Sequence, residues 1–339
     1  MTLSPGKQKG LAAVADRRGT IAALAVDQRS ALRTLFSKAS GQPVESVPAD
    51  LIMRFKEAVS RILTPHASAI LLDPEFGLPA AARRAKGSGL LLAYEKTGYD
   101  KSVRGRLPHV LDGYSVVRLQ QEGADCIKVL LYYSPFSTAE INSVKQGWVE
   151  RIGAECAEAD APFFLELVSY HDDMDEKGAE FARIKPDSVT RSVEEFCKPR
   201  YHVDVLKVGV PVNMAFVESP NVANSAVLYT RKEAKAHFLR ASEAATLPFI
   251  YLSEGVSNET FGLALALAAE AGARFSGVLC GRATWKDGVS VFVQHGFAAL
   301  EDWLHVDGVR NIQNVNAGLA AAHPWFERCL VAPSMPGKD

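Results

Sequence analysis

Val203-Asp204-Val205-Leu206-Lys207-Val208-Gly209-Val210-Pro211 is a short β-branched run closed by proline, with one lysine at its centre. Such a run reads as a strand buried on both faces. Burying an ammonium is costly unless it is paired or loses its proton. Cys126-Ile127-Lys128-Val129-Leu130-Leu131 repeats the pattern. Lysines with a lowered pKa are the ones that attack carbonyls and form Schiff bases. Two of them on buried strands, with the carboxylate of Glu166 on the strand between, point to carbonyl chemistry through an imine.

Working outward, eight such apolar runs occur in order: Thr20–Gln28, Ala67–Glu75, Gly89–Lys96, Ala124–Tyr133, Phe163–Tyr170, Val203–Pro211, Pro248–Gly255 and Phe275–Ala283. Segments of helical periodicity separate them, among them Pro48–Leu63, Asp112–Glu122, Trp148–Ala159, Ser188–Cys197, Thr230–Ala244, Asn258–Ala271 and Ser290–Leu304. Eight alternating units favour one closed (β/α)8 TIM barrel over an open doubly wound sheet. No GxGxxG follows the first run, which lowers the dinucleotide-binding alternative. No low-complexity linker interrupts the series, so residues 1–339 read as a single domain with loose ends near 1–10 and 330–339.

Composition narrows the function. The 339 residues are 47% hydrophobic and 23% charged, with a formal net charge of −1. That balance gives no global field to recruit nucleic acid or membrane. The five cysteines are widely spaced without a CxxC pair, which reads as reduced thiols in a cytoplasmic protein. No signal peptide and no membrane-spanning stretch is expected.

Strand parity sorts the polar residues. Lys207 shares a face with Val205 and Gly209, Lys128 with Cys126 and Leu130, Glu166 with Phe164 and Val168, and Asp27 with Ala23 and Ala25. The same reading sets Tyr251 and Ser253 against Ile250 and Leu252, and Cys280 and Arg282 against Leu279. Asp27, Lys128, Glu166, Lys207, Ser253 and Arg282 are then expected to converge inside the barrel near the carboxyl ends of the strands, where barrel enzymes place their active sites.

The residues at those ends resemble the tagatose 1,6-bisphosphate aldolase family. The motifs are Ala25-Val26-Asp27-Gln28-Arg29, Leu72-Asp73-Pro74-Glu75-Phe76-Gly77-Leu78-Pro79, Leu92-Ala93-Tyr94-Glu95-Lys96-Thr97-Gly98-Tyr99, Val205-Leu206-Lys207-Val208, Ile250-Tyr251-Leu252-Ser253 with Gly255-Val256-Ser257, and Gly277 through Trp285. The resemblance covers about Gly19 to Leu304. It implies a class I, metal-independent aldolase without a cofactor, acting in carbohydrate catabolism of the lactose and galactose type. The substrate is then a sugar phosphate, a ketohexose 1,6-bisphosphate split to dihydroxyacetone phosphate and glyceraldehyde 3-phosphate. A homo-oligomer, a dimer, is implied as well. By the same resemblance Lys207 matches the Schiff-base lysine and Glu166 the acid/base that forms and dehydrates the carbinolamine. Lys128 matches the second active-site lysine, Asp27 the aspartate after the first strand, and Ser253 and Arg282 phosphate contacts. Sulfofructose-phosphate cleavage, another small imine substrate, and a sugar-phosphate sensor that keeps the site are the competing readings.

The chemistry is consistent with this. An ordinary lysine titrates near ~10.4, so about one in a thousand is neutral at pH 7, and imine formation needs the neutral amine. Two adjacent lysines disfavour double protonation and lower one apparent pKa. The sequence leaves open whether Lys128 is catalytic or a buried structural ion pair. Ser253, Gly255, Gly281 and Arg282 follow strands seven and eight, the usual phosphate site of this barrel, with Gln28 and Arg29 alongside. Arg29, Lys96, Arg104 and Arg106 are candidates for a second anion. Asp73, Glu75 and Glu95 either bind sugar hydroxyls or pair with nearby cations. Tyr132, Tyr133 and Trp285 read as wall or packing residues. The eight histidines show no HxH or HExxH spacing, and His171-Asp172-Asp173 lacks partner ligands, so no metal is expected. Two positions depart from the family pattern: Gly209 where a glutamate is expected, and Glu254 where a small residue is expected. A carboxylate at 254 is unfavourable beside an anion unless it points away.

Overall fold

In the computed structural model, which describes residues 2–218 and 227–331, eight parallel strands close into a barrel. They are β1 (Ile21–Ala25), β2 (Ala69–Leu72), β3 (Gly89–Ala93), β4 (Cys126–Tyr133), β5 (Phe163–Ser169), β6 (Val205–Gly209), β7 (Phe249–Leu252) and β8 (Gly277–Cys280). Each pairs with its successor, and β8 returns to β1 through Ala23 and Leu279. The helices are α1 (Pro5–Val14), α2 (Ser30–Ser40), α3 (Ala49–Leu63), α4 (Leu78–Ala81), α5 (Val116–Gln121), α6 (Ala139–Glu158), α7 (Ala179–Phe196), α8 (Arg231–Ala244), α9 (Asn258–Glu270), α10 (Arg282–Trp303, broken at Gly296) and α11 (Val309–Ala317). The expected (β/α)8 barrel is what forms.

The core has two parts. The larger lies between strands and helices and takes the outward residues, such as Ile127, Val129 and Leu131 of β4. On the helix side α3 contributes Ile52, Phe55, Val59 and Ile62, an i, i+3, i+7, i+10 stripe. Phe55 meets Phe36 of α2 edge-on at 5.7 Å and Trp285 of α10 at 5.5 Å, which ties three helices across the β8–β1 seam. Truncating Phe55 to alanine would cost about 3–5 kcal/mol. The smaller core fills the barrel with Ala23, Ala69, Leu71, Leu91, Cys126, Phe164, Val205, Ile250 and Leu279.

That interior corrects the parity reading at two strands. Ile250 and Leu279 point inward, while Tyr251 and Cys280 pack against the helices. Both faces of these four-residue strands are apolar, so composition cannot say which is inner. The register decides: Ile250 stands beside the inward Lys207. Arg282 is also not a strand residue but the first residue of α10.

The expectation of a loose start at residues 1–10 is likewise corrected. Thr2–Leu3 pair in parallel with Leu330–Val331, and α1 packs Leu11 and Val14 beneath the barrel interior. Lys7 donates to the buried Asp204 at 2.7 Å, which also accepts from the Phe163 N–H at 2.8 Å. The remainder of the expected loose end, 332–339, lies outside the described residues.

Candidate active site

The inward parity of β4, β5 and β6 turns Lys128, Glu166 and Lys207 into the barrel, among the inward residues Phe164, Val205 and Ile250. Asp27 stands two residues past β1 and Glu95 two past β3. Lys128 Nζ lies 2.8 Å from Asp27 Oδ2, 2.9 Å from Glu95 Oε1 and 2.9 Å from Glu166 Oε2. Lys207 Nζ lies 2.8 Å from the same Glu166 Oε2. Lys128 is fully buried and Lys207 nearly so. Four of these five residues belong to the expected set. Glu95, left open from sequence, joins them, and its signal was present: Leu91, Ala93 and Glu95 continue one parity.

The three carboxylates set the charge state of Lys128. Burial alone would push the Lys128 ammonium down, but Asp27, Glu166 and Glu95 together hold it well above the usual lysine range. Lys128 therefore stays protonated and acts as a fixed cation. Burial would raise Glu166, yet Lys128 and Lys207 hold it below the usual carboxylate range. Asp27 is likewise raised by burial and overcome by Lys128 and Lys207, ending well below that range. Burial prevails at Glu95, pushing it up against the pull of Lys128 and Arg29. In geometry Lys128 is a buried cation paired with three carboxylates, all three of which line one cavity.

A cavity of about 810 Å³ opens above this cluster, walled by Asp27, Glu95, Glu166, Ser253, Gly255 and Arg282 among others. The two lysines stand one hydrogen bond behind Glu166. Ser253 follows β7, and Arg282 opens α10 directly after Gly281. The Arg282 guanidinium lies against Gly255, where a Cβ would come within 2.7 Å of it. Among the described residues Arg282 forms no ion pair, so its charge is available to an anion. Gln28 donates to Asp27 Oδ1 at 3.2 Å and leaves its buried Oε1 without a partner. Arg29 is committed elsewhere: it donates to Glu75 at 2.9 Å and to the Glu95 carbonyl at 2.9 Å. It therefore braces Glu95 more directly than it offers charge to a ligand.

The other candidates are mostly neutralised. Lys96 pairs with Asp112 at 2.5 Å, Arg104 with Asp173 at 2.7 Å and Arg106 with Glu176 at 2.5 Å. Arg106 and Lys96 wall the cavity; Arg104 does not. Asp73 is buried against Lys56 and is structural. Tyr132 is a wall residue, while Tyr133 and Trp285 pack in the core. Asp172 and Asp173 flank Arg104. Among the described residues no group of three or more His, Cys, Asp or Glu side chains is disposed to hold a metal ion. The five cysteines are free thiols. No described helix is long and apolar enough to cross a membrane.

Comparison with known proteins identifies the family. A model of the DeoC/LacD family of aldolases matches residues 21–287. Tagatose 1,6-diphosphate aldolase 2 of Enterococcus faecalis (strain ATCC 700802 / V583) is 51% identical across 98% of this chain and 99% of its own. The tagatose 1,6-diphosphate aldolase of Staphylococcus aureus (strain bovine RF122 / ET3-1) is 46% identical across 97% and 100%. Among solved structures, fructose-bisphosphate aldolase from Plasmodium falciparum superposes with a TM-score of 0.69 at 13% identity, covering 95% of this chain and 97% of that one. At that identity the likeness speaks for the fold alone.

Proposed function

Because the chain belongs to the DeoC/LacD aldolase family and is an aldolase, a lyase, we propose that it cleaves a ketohexose 1,6-bisphosphate, tagatose 1,6-bisphosphate foremost, through a Schiff base on Lys207. The observation that carries this reading is the Lys207–Glu166–Lys128 relay at the base of the cavity. Lys207 Nζ attacks the C2 carbonyl, and Glu166 moves the protons that carbinolamine formation and loss of water require. The protonated imine then accepts the electron pair of the C3–C4 bond while a base takes the C4 hydroxyl proton. Asp27 and Glu95 both wall the cavity, and Glu95, held high, is the stronger base of the two. Glyceraldehyde 3-phosphate leaves, the enamine takes a proton at C3, and water releases dihydroxyacetone phosphate. Ser253, Gly255, Gly281 and Arg282 receive one phosphate, with Gln28 placed for a hydroxyl. Lys128 supplies a permanent positive charge where the carboxylates must stay ionised.

The test is borohydride trapping with dihydroxyacetone phosphate in EDTA, followed by peptide mass mapping. A reduced adduct on Lys207 is expected. No adduct, with Lys207→Ala behaving like the parent protein, overturns the imine reading. Cleavage rates for tagatose and fructose 1,6-bisphosphates then rank the sugars.

A further inference from the structure

The turn that follows β7 is held by a charged pair that the reaction does not consume. The Val256 N–H donates to the Ser253 carbonyl at 3.0 Å, closing a four-residue turn. Both central residues are left-handed, Glu254 at φ 49° and Gly255 at φ 80°. Glycine, asparagine and aspartate suit the first of these positions; glutamate adopts it only under strain. Glu254 is held there from two sides. Lys185 of α7 donates to Glu254 Oε2 at 2.6 Å. Gly209, two residues past Lys207 on β6, leaves room for the carboxylate: a Cβ at 209 would lie 2.5 Å from Glu254 Oε1. The two departures noted in the sequence are thus one feature, since a side chain at 209 and the observed pose of Glu254 exclude each other. Lys185 is itself braced. It precedes Pro186, whose missing N–H frees the Ala182 carbonyl, and the Tyr229 hydroxyl donates to that carbonyl at 3.0 Å.

We propose that Lys185, Glu254 and Gly209 form a latch that sets the anion-binding turn and with it the preference for a phosphorylated substrate. The inference rests on reading Ser253 through Arg282 as the phosphate end of the site. Lys185 draws the Glu254 carboxylate toward β6 and away from the anion facing Arg282. Glu254 in return keeps the left-handed turn through which Ser253 and Gly255 meet that anion. All three are positioning residues. Removing Lys185 alone leaves a free carboxylate next to the anion, so it harms binding more than removing the whole pair.

The experiment measures inorganic phosphate binding by calorimetry, alongside kcat and KM for tagatose 1,6-bisphosphate, in Lys185→Met, Glu254→Gly, Gly209→Ala and the two doubles that combine Glu254→Gly with each of the others. Lys185→Met is expected to weaken phosphate by about tenfold and to raise KM more than it lowers kcat. Adding Glu254→Gly should restore most of that loss and should equally relieve Gly209→Ala. Phosphate affinity unchanged in Lys185→Met overturns the latch. So does a Lys185→Met/Glu254→Gly double as weak as Lys185→Met alone, which would make Lys185 a direct anion contact. A parent protein that binds no phosphate overturns it as well. Borohydride trapping on the same proteins keeps the two readings apart: phosphate binding with this pattern but no Lys207 adduct sinks the imine and leaves the latch standing.

Discussion

The carboxylate oxygen of Glu166 that accepts from Lys207 at 2.8 Å is the same oxygen that lies 2.9 Å from Lys128. One atom therefore links the proposed nucleophile to the buried cation of Lys128.

Glu166→Gln keeps the shape of this relay and removes its charge. Turnover should fall by about 10²–10⁴-fold, with slowed adduct formation on Lys207 and little change in phosphate affinity. Single-turnover kinetics beside calorimetry check this. A variant that turns over within a few fold of the parent would remove Glu166 from the mechanism.

Lys128→Met leaves Asp27, Glu95 and Glu166 without their shared partner in a buried site. Breaking a buried pair by deleting one side costs about 3–5 kcal/mol. Urea denaturation at neutral pH reads this directly. A loss under about 1 kcal/mol would mean that the carboxylates find protons or other donors at little cost.

Lys145 of α6 is buried, and its Nζ donates to the Tyr132 carbonyl at 2.6 Å and the Tyr170 hydroxyl at 2.8 Å, with no carboxylate partner among the described residues. Burial pulls it down to about 7. Between that value and the unfolded lysine near ~10.4, the unfolded chain binds more protons, so this group makes stability rise with pH. The slope is at most about 1.4 kcal/mol per pH unit. From pH 7.5 to 9 the parent protein should gain about 1–2 kcal/mol relative to Lys145→Met. Paired denaturation curves decide it; parallel profiles would place the ammonium in a better-solvated setting.

Lys7→Met should destabilise the barrel by about 3 kcal/mol, because Asp204 is left buried without its cation. Lys7→Met combined with Asp204→Asn should recover part of that loss. Melting of the three variants tests it. Lys7→Met melting with the parent would return α1 to the status of a loose segment.

The strands were legible because a parallel barrel buries both faces of each, leaving uninterrupted apolar runs. Helix starts were not: α6 begins at Ala139 and α7 at Ala179, well before the apolar periodicity at Trp148 and Ser188. Their first turns cover the barrel rim, where Glu140 and Glu180 face solvent. α1 and α2 escaped notice because α1 carries two glycines and two lysines among few apolar positions, and α2 buries only Leu32 and Phe36. In the site, one parity rule was enough for Asp27, Lys128, Glu166 and Lys207. Ser253 and Arg282 reach the cavity for another reason, a turn and a helix start beyond short strands, which alternation cannot describe. The pairing of Lys185 with Glu254 joins residues from different βα units and has no local signature at all.

The parallel pairing of Thr2–Leu3 with Leu330–Val331 brings the two ends of the described chain together at the amino-terminal side of the barrel, away from the cavity. A surface linker or fluorescent fusion attached through either segment therefore hangs below the mouth of the cavity. Immobilised protein should keep that mouth open to solution, whichever of the two ends carries the tether.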